Sequence, residues 1–338
     1  MKYIESLASY VPGLIVDQLI KAEGVAQQHQ RQQILPWRQE YETVCVFCDV
    51  SGFTALSEAM QLNGKGAEGL AKHLNSYFSQ MVRLIASEGG DVFKFAGDAM
   101  IVLWPECDVS GGEGEGQGQE SSIATMARRA AQCAFAIQKN LHRSEMEAGV
   151  SLSVKIGIGV GRVSVLHVGG AFNRVEYLAV GDPLIQAFAS EGKSVSGQVI
   201  CSSEVWKLIH QNFTADTVFD DGYVRFDLQA QHKLVPKSSK MKNLLHSACF
   251  SEDDPALERR VKSYVAGAVL PNLNRDCPED EQWGNELRQC TVVFVNLVGS
   301  QQAGRQALGR ASRDERRLPL CCAELCSAVL YCAVLYCV

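Results

Sequence analysis

Asp49 and Asp98 are the residues whose types and settings point to chemistry. Asp49 closes an apolar run, Val44-Cys45-Val46-Phe47-Cys48, that reads as a buried strand. A polar turn follows, Ser51-Gly52-Phe53-Thr54, and a helical pattern begins at Ala55. A carboxylate at the C-terminal end of a strand, beside a glycine turn and a helix start, suits a divalent cation and a phosphate chain. The acid holds the metal, while backbone N–H groups and the positive helix end hold phosphate oxygens. The plain alternative is a strand capped by an Asp turn.

The second acid favours the chemical reading. In Gly89 to Trp104, Asp91–Phe95 and Ala99–Trp104 read as two strands, with Ala96-Gly97-Asp98 as the hairpin turn between them. A short acid tolerates that turn geometry. If the hairpin pairs beside the Val44 strand, Asp49 and Asp98 can share a cation. Mg²⁺ takes oxygen ligands at about 2.0–2.1 Å, commonly one or two carboxylates plus substrate phosphates. Two such acids suit a two-metal site for in-line displacement at phosphorus.

The pattern F-x-D-V-S-G-F-T, followed by G-G-D-x-x-K-F-x-G-D-A, resembles the first catalytic half of class III nucleotide cyclases. Within that family it is most similar to the animal soluble, bicarbonate-regulated adenylyl cyclases. The opening IESLASYVPGLIVDQ and the later VKIGIGVGRVS carry the same resemblance, which runs from about residue 4 to residue 296.

The resemblance implies cyclisation of ATP to 3′,5′-cyclic AMP and pyrophosphate, with two Mg²⁺ or Mn²⁺ ions. Asp49, Asp98 and the Val50 carbonyl would be metal ligands, and the turn Ser51, Gly52, Phe53, Thr54 would cradle the β- and γ-phosphates. Lys94 and Lys155 match family positions near the nucleotide or the regulatory pocket. Surface charge is the alternative for each, although a free Lys is uncommon in a strand among apolar residues.

In the family the second half supplies an Asn and an Arg, one helical turn apart, and the groups that read the adenine. The matching helix here begins near Asp182 and carries Ile185 and Ala189 at those positions, neither able to donate to a phosphate. The chain thus carries the metal side of a site and needs a second cyclase half as partner. Weak or no activity alone is expected, since losing one such donor costs roughly 10²–10³ in rate. A metal- and nucleotide-binding regulatory module, a pseudo-cyclase, is the alternative. A polymerase-like palm shares the acids, but the SGFT turn argues against it. The family's bicarbonate-binding Arg falls on Phe188, which argues against bicarbonate as a ligand; Arg174 and Lys193 are the cations that could substitute.

Composition sets the frame. The chain has 338 residues, 46% hydrophobic and 21% charged, as expected of a globular protein with a sizeable core. The net charge of −6, without a long basic run, argues against a nucleic-acid partner. No apolar run approaches the roughly 18 residues of a membrane helix, and Met1-Lys2-Tyr3-Ile4-Glu5 does not open a signal peptide. The thirteen cysteines lack zinc-ligand spacing and read as reduced thiols, several of them buried, which points to the cytoplasm.

The elements needed to position the acids follow from periodicity. Glu68 to Ser87 has the spacing of an amphipathic helix, as does Ile123 to Leu141. Ser151–Gly161 reads as a strand that turns at its glycines into a second strand, Arg162–Val168, and Val175–Val180 is a further strand. The order predicts an α+β fold: a ferredoxin-like βαββαβ core with one mixed sheet and helices on one face. Residues 1–40 read as a lead-in whose run 27–33 is a solvated loop, and 41–230 as the cyclase homology domain. Residues 106–121 read as a flexible Gly-rich insertion and 231–288 as a linker with one helix pattern. Residues 289–297 resemble the first strand of a truncated second half, with Asn296 where Asp49 stood, and 298–338 read as a divergent, non-native or disordered tail.

Overall fold

The computed structural model describes residues 3–29, 35–105, 122–146, 149–234, 254–267 and 269–273. All lie in one compact unit, residues 1–286. The expectations for 106–121, 289–297 and 298–338 fall outside the described residues, as do residues 30–33 of the polar run.

The central strand is β1, Trp37–Ser51, so the sheet begins within the stretch read as a lead-in. Val44, Val46, Cys48 and Val50 enter one apolar core, while Cys45 and Phe47 pack into another on the opposite face. An apolar run buried on both faces cannot alternate, which is why Val44–Cys48 reads as continuous. Strands β2 (Asp91–Ala96) and β3 (Ala99–Pro105) form the expected hairpin, and β3 pairs antiparallel with β1. On the other edge β1 pairs antiparallel with β5, Ser151–Gly169, through a ladder from Trp37↔His167 to Ser51↔Ser153.

The helices between these strands complete the ferredoxin-like order. Between β1 and β2 come α3 (Phe53–Leu62) and α4 (Gly66–Ser87); between β3 and β5 comes α5 (Ser122–Leu141). The strand order β2-β3-β1-β5 is that of a βαββαβ core. Beyond β5, strands β7 (Val199–Cys201), β9 (Val224–Phe226) and β8 (Ala215–Val218) extend the sheet, and the β5–β7 pairing is parallel, so the sheet is mixed. Strand β6 (Val175–Val180) forms a hairpin with the far end of β5. A short strand, β4 (Ser144–Glu145), pairs with its start.

The long helices α4 and α5 lie on one face, as expected. Tyr77, Met81 and Ile85 of α4 and Ala127, Ala131, Ala134, Ile137 and Leu141 of α5 fill the first core. The other face also carries helices, which corrects the expectation of a single helical layer. It is covered by α1 (Tyr3–Ala8), α2 (Gly13–His29), α6 (Asp182–Gly192) and α8 (Pro255–Tyr264), the last following α7 (Ser203–Ile209). The physical reason is Cys45, Ile101, Leu103, Val163 and Val165, an apolar patch on that face that water would otherwise meet. Gln27, Gln28 and His29 are the last turn of α2, not loop. The Pro255–Tyr264 helix lies within the stretch read as a linker, and packs through Leu257, Val261 and Tyr264.

A buried polar chain ties α2 and α8 to the sheet. Gln18 Oε1 lies 2.8 Å from His167 Nε2, so that nitrogen donates, and His167 Nδ1 accepts from Tyr264 Oη at 2.8 Å. Gln18 Nε2 donates in turn to Tyr41, and Trp37 stacks on the imidazole with centroids 3.6 Å apart. Cys45, Cys48, Cys133 and Cys201 are buried free thiols, their ionisation pushed up by burial, that of Cys48 to about 12. Among the described residues no helix is long and apolar enough to cross a membrane.

Candidate active site

Strand register sets Asp98 next to the cross-strand partner of Asp49. The β1–β3 ladder ends at Asp49↔Ala99, whereas the β1–β5 ladder continues to Ser51↔Ser153. The β3 side of β1 is therefore unpaired beyond Asp49, just where the hairpin turns through Gly97 and Asp98. Asp98 directly precedes the residue paired with Asp49. It is exposed, and has no hydrogen bond or ion pair with a described residue. Gly97 supplies the turn's positive φ of 67°.

Asp49 is not at its strand's last residue but two before it, with Lys155 of β5 as its cross-strand neighbour. Lys155 Nζ lies 2.9 Å from Asp49 Oδ2 and also contacts Glu191 Oε1 of α6. The side chains of Asp49, Lys155 and Glu191 are 28%, 27% and 13% exposed, so the triad is partly desolvated. Burial pulls the Lys155 pKa down, but bonds to Glu191 and Asp49 outweigh it and the net shift is upward. Lys155 is thus a fixed cation.

The turn after Asp49 has the form a phosphate site requires. Gly52 adopts φ 109°, and a Cβ there would stand 2.8 Å from Ser151 O, so no other residue fits. It is the N-cap of α3, and no side chain caps the helix. The first N–H groups of an uncapped helix are unsatisfied donors at the positive end of its dipole. Thr54 is exposed there; Phe53 turns inward against Phe78, centroids 5.8 Å apart. Ser51 Oγ donates to Ser153 O at 3.3 Å and sits 3.3 Å from Ser196 Oγ. The Val50 side chain is buried in the first core, leaving its backbone as the only part that could meet a ligand.

Lys94 is on the same face but one cross-strand row further from the turn, in the row of Ile101 and Phe47. Its ammonium donates to Tyr177 O at 3.4 Å and lies 5.2 Å from the centre of the Tyr177 ring. Phe188 packs edge-to-face on Phe47, with centroids 4.6 Å apart.

The donor set fits a hard divalent cation. Only Asp49 Oδ2 is engaged by Lys155, and Asp98 is free to turn towards it. Among the described residues no group of three or more His, Cys, Asp or Glu side chains forms a metal cage. Mg²⁺ takes one or two carboxylates and completes its shell with water and phosphate oxygens.

The βαββαβ sheet, with its edge hairpin and the helices that follow β1, is the architecture of an α+β catalytic domain. The chain belongs to the adenylate and guanylate cyclase catalytic domain family, whose sequence model matches residues 37–235. It is 29% identical over 294 residues to adenylate cyclase type 10 of Oryctolagus cuniculus, covering 81% of this chain and 17% of that protein. It is 28% identical over 331 residues to adenylate cyclase type 10 of Homo sapiens, covering 92% of this chain and 19% of that protein. The chain thus spans less than a fifth of the length of these relatives. Among solved structures, the adenylyl cyclase CyaB from P. aeruginosa aligns at 23% identity with a TM-score of 0.43, covering 56% of this chain and 96% of that one.

Sequence reasoning missed Glu191. Its signal was the run Gly157, Gly159, Gly161, which keeps an alternating period and leaves one face of a strand bare. Read as a turn, that run is in fact the middle of the continuous strand β5. The bare face lets α6 settle onto the sheet: a Cβ on Gly159 would lie 2.2 Å from Pro183 O.

Proposed function

We infer that this chain supplies the metal-binding side of an adenylate cyclase site, acting on ATP in cyclic AMP signalling. The observation that carries this reading is the β1–β3 ladder ending at Asp49↔Ala99, with Asp98 next in the turn and the uncapped start of α3 beside them. Asp49, Asp98 and the Val50 carbonyl are the ligands for two ions, Mg²⁺ or Mn²⁺. When bound, such ions neutralise triphosphate charge and lower the pKa of a coordinated hydroxyl. The α3 N–H groups and Lys155 hold the phosphate chain in line, and Lys94 borders the site one row away. The ribose 3′-oxygen gives its proton to solvent and bonds to the α-phosphorus as the bond from that phosphorus to the bridging oxygen breaks and pyrophosphate leaves.

The transition-state donors come from a partner half. Ile185, on α6, is 60% exposed and apolar, and Ala189 is its neighbour one turn on. A homodimer repeats the same deficit. The purified chain alone is therefore expected to form cyclic AMP slowly or not at all, by a factor of roughly 10²–10³ for each absent donor. This also supports the second reading, a nucleotide-binding module that acts only with a partner. Phe188, packed on Phe47, offers bicarbonate no cation at that position.

The test is binding of a non-cyclisable ATP analogue with Mg²⁺ or Mn²⁺ by wild type, Asp49→Ala and Asp98→Ala. Metal-dependent binding lost in both variants supports the site; binding indifferent to both acids refutes it. Cyclic AMP formation on adding a complete second half then separates catalytic half from regulatory module.

A further inference from the structure

Asp49 already has a cation in this structure. Lys155 Nζ is 2.9 Å from its Oδ2 and holds Glu191 on the other side. Both ends of this bridge are fixed by backbone. Lys155 projects from the β1–β5 ladder, directly opposite Asp49. Glu191 is carried by α6, which lies so close to β5 that a Cβ on Gly157 would stand 2.5 Å from Glu191 N. An acid at this place would repel a triphosphate, and the phosphate-binding reading gives it no task. Its contact with Lys155 does.

We propose that Lys155 is the resident counter-ion of Asp49, tethered by Glu191, and that a divalent cation is admitted at Asp49 only as a polyphosphate draws the ammonium away. The proposal rests on the reading of Asp49 as a metal ligand and adds an order to it. A divalent ion at about 2.0–2.1 Å from the free Oδ1 is repelled by the ammonium that contacts Oδ2 of the same carboxylate, so the two cations compete for Asp49. A phosphate chain offers Lys155 the acceptors it needs to leave. Once it leaves, Asp49 is open, and Glu191, half-relieved of its partner, adds negative charge beside the entering ion. Nucleotide and cation then enter together, and the ion alone is held poorly. Glu191 acts here through Lys155 and is a positioning residue.

The experiment is titration of the full chain with Mn²⁺ in the absence of nucleotide, with free ion read by electron paramagnetic resonance. Wild type is expected to bind weakly. Lys155→Met is expected to bind at least tenfold more tightly, and Lys155→Gln serves in its place if the methionine variant fails to fold. Lys155→Arg, which keeps the charge, is expected to stay weak, and Glu191→Gln to be weaker still, because Lys155 is left wholly to Asp49. Unchanged Mn²⁺ affinity in the neutral variants overturns the proposal. If the gain appears but survives addition of Asp49→Asn, the ion sits elsewhere and the reading of Asp49 as ligand fails instead. If Asp49→Asn removes the binding of a neutral variant that shows no gain, the metal reading stands and only the counter-ion proposal falls.

Discussion

The carbonyl oxygen of Ala187 lies where a side chain on Gly157 would have to go: a Cβ there would stand 2.0 Å from it. Strand β5 and helix α6 therefore touch backbone to backbone. Gly157→Ala must lift α6, and overpacking of this kind typically costs about 1–3 kcal/mol. Gly192, in the last turn of the same helix, has open space around it, and Gly192→Ala is expected to be neutral or to stabilise by up to about 1 kcal/mol. Urea unfolding of both variants checks the pair. Similar midpoints would show that α6 does not depend on the bare strand.

Two buried groups titrate with opposite effects on stability. Asp91 accepts from Gly13 N at 3.0 Å and Leu14 N at 2.8 Å, at the start of α2, and burial raises its pKa from 3.8 to about 6 despite those bonds. Its contribution to stability is full below pH 3.8 and is lost as pH rises through about 6. Burial lowers the pKa of His167 from 6.5 to about 4, with the Arg260 charge adding to the effect. Its contribution is full above pH 6.5 and is lost as pH falls through about 4. In wild type the two slopes oppose each other across the shared window. Asp91→Asn is expected to expose a stability that rises with pH there, and His167→Gln one that falls, each by at most about 1.4 kcal/mol per pH unit. Unfolding midpoints at pH 4.5, 5.25 and 6, about evenly spread over the window between the shifted values, read the slopes directly; parallel profiles in the two variants would contradict this.

The Phe47–Phe188 contact gives a test of anion regulation. Its edge-to-face pairing, at 4.6 Å between centroids, is worth about 0.5–1.5 kcal/mol beyond burial. Phe188→Arg gives up that pairing and puts a guanidinium on the face that carries Lys94. With a complete second half supplied, bicarbonate is expected to leave the wild-type chain unaffected and to stimulate the variant. Stimulation of the wild type would assign the anion to another cation, with Arg174 and Lys193 the first to examine.

How far the sequence reached depended on how local each cause was. The hairpin and the helix that follows the Ser51–Thr54 turn were legible because turn chemistry acts over three or four residues. The amphipathic spacing of α4 and α5 was equally local. The glycines of β5 were misread because the residue that explains them, Ala187, is 30 positions away from Gly157 in the chain. A glycine needed for a turn and one needed for close approach look alike until the partner is known. Glu191 was invisible for the same reason, since nothing in its own neighbourhood marks it as facing Lys155. The second helical layer is not evident because residues 1–40 read as a lead-in, although Leu14, Ile15 and Leu19 of α2 are buried. Asp91 passed as a strand residue, and its role as the acceptor at the start of α2 spans 77 and 78 positions.

Lys94 and Lys155 look equivalent in the sequence, each a lysine in an apolar strand, and the structure separates them. Lys155 is opposite Asp49 and contacts it. Lys94 stands one cross-strand row away, with its ammonium on the carbonyl and ring of Tyr177. A phosphate chain bound at the start of α3, as proposed, would have Lys155 within the ion-pair network of Asp49, whereas Lys94 must first leave Tyr177. Loss of a charged hydrogen-bond donor to a phosphate typically costs about 1.5–3 kcal/mol, roughly ten- to a hundredfold in affinity. Without divalent ion, so that relief of Asp49 does not offset the loss, Lys155→Met is expected to weaken binding of an ATP analogue by that factor, and Lys94→Met by less than threefold. The Lys94 variant should instead lose stability, because a cation–π contact of this kind is worth about 0.5–1 kcal/mol at exposed sites and more where it is desolvated. Isothermal titration on both variants, with thermal unfolding alongside, distinguishes the two lysines. A larger affinity loss for Lys94→Met than for Lys155→Met would place the phosphates in the Tyr177 row rather than at Asp49.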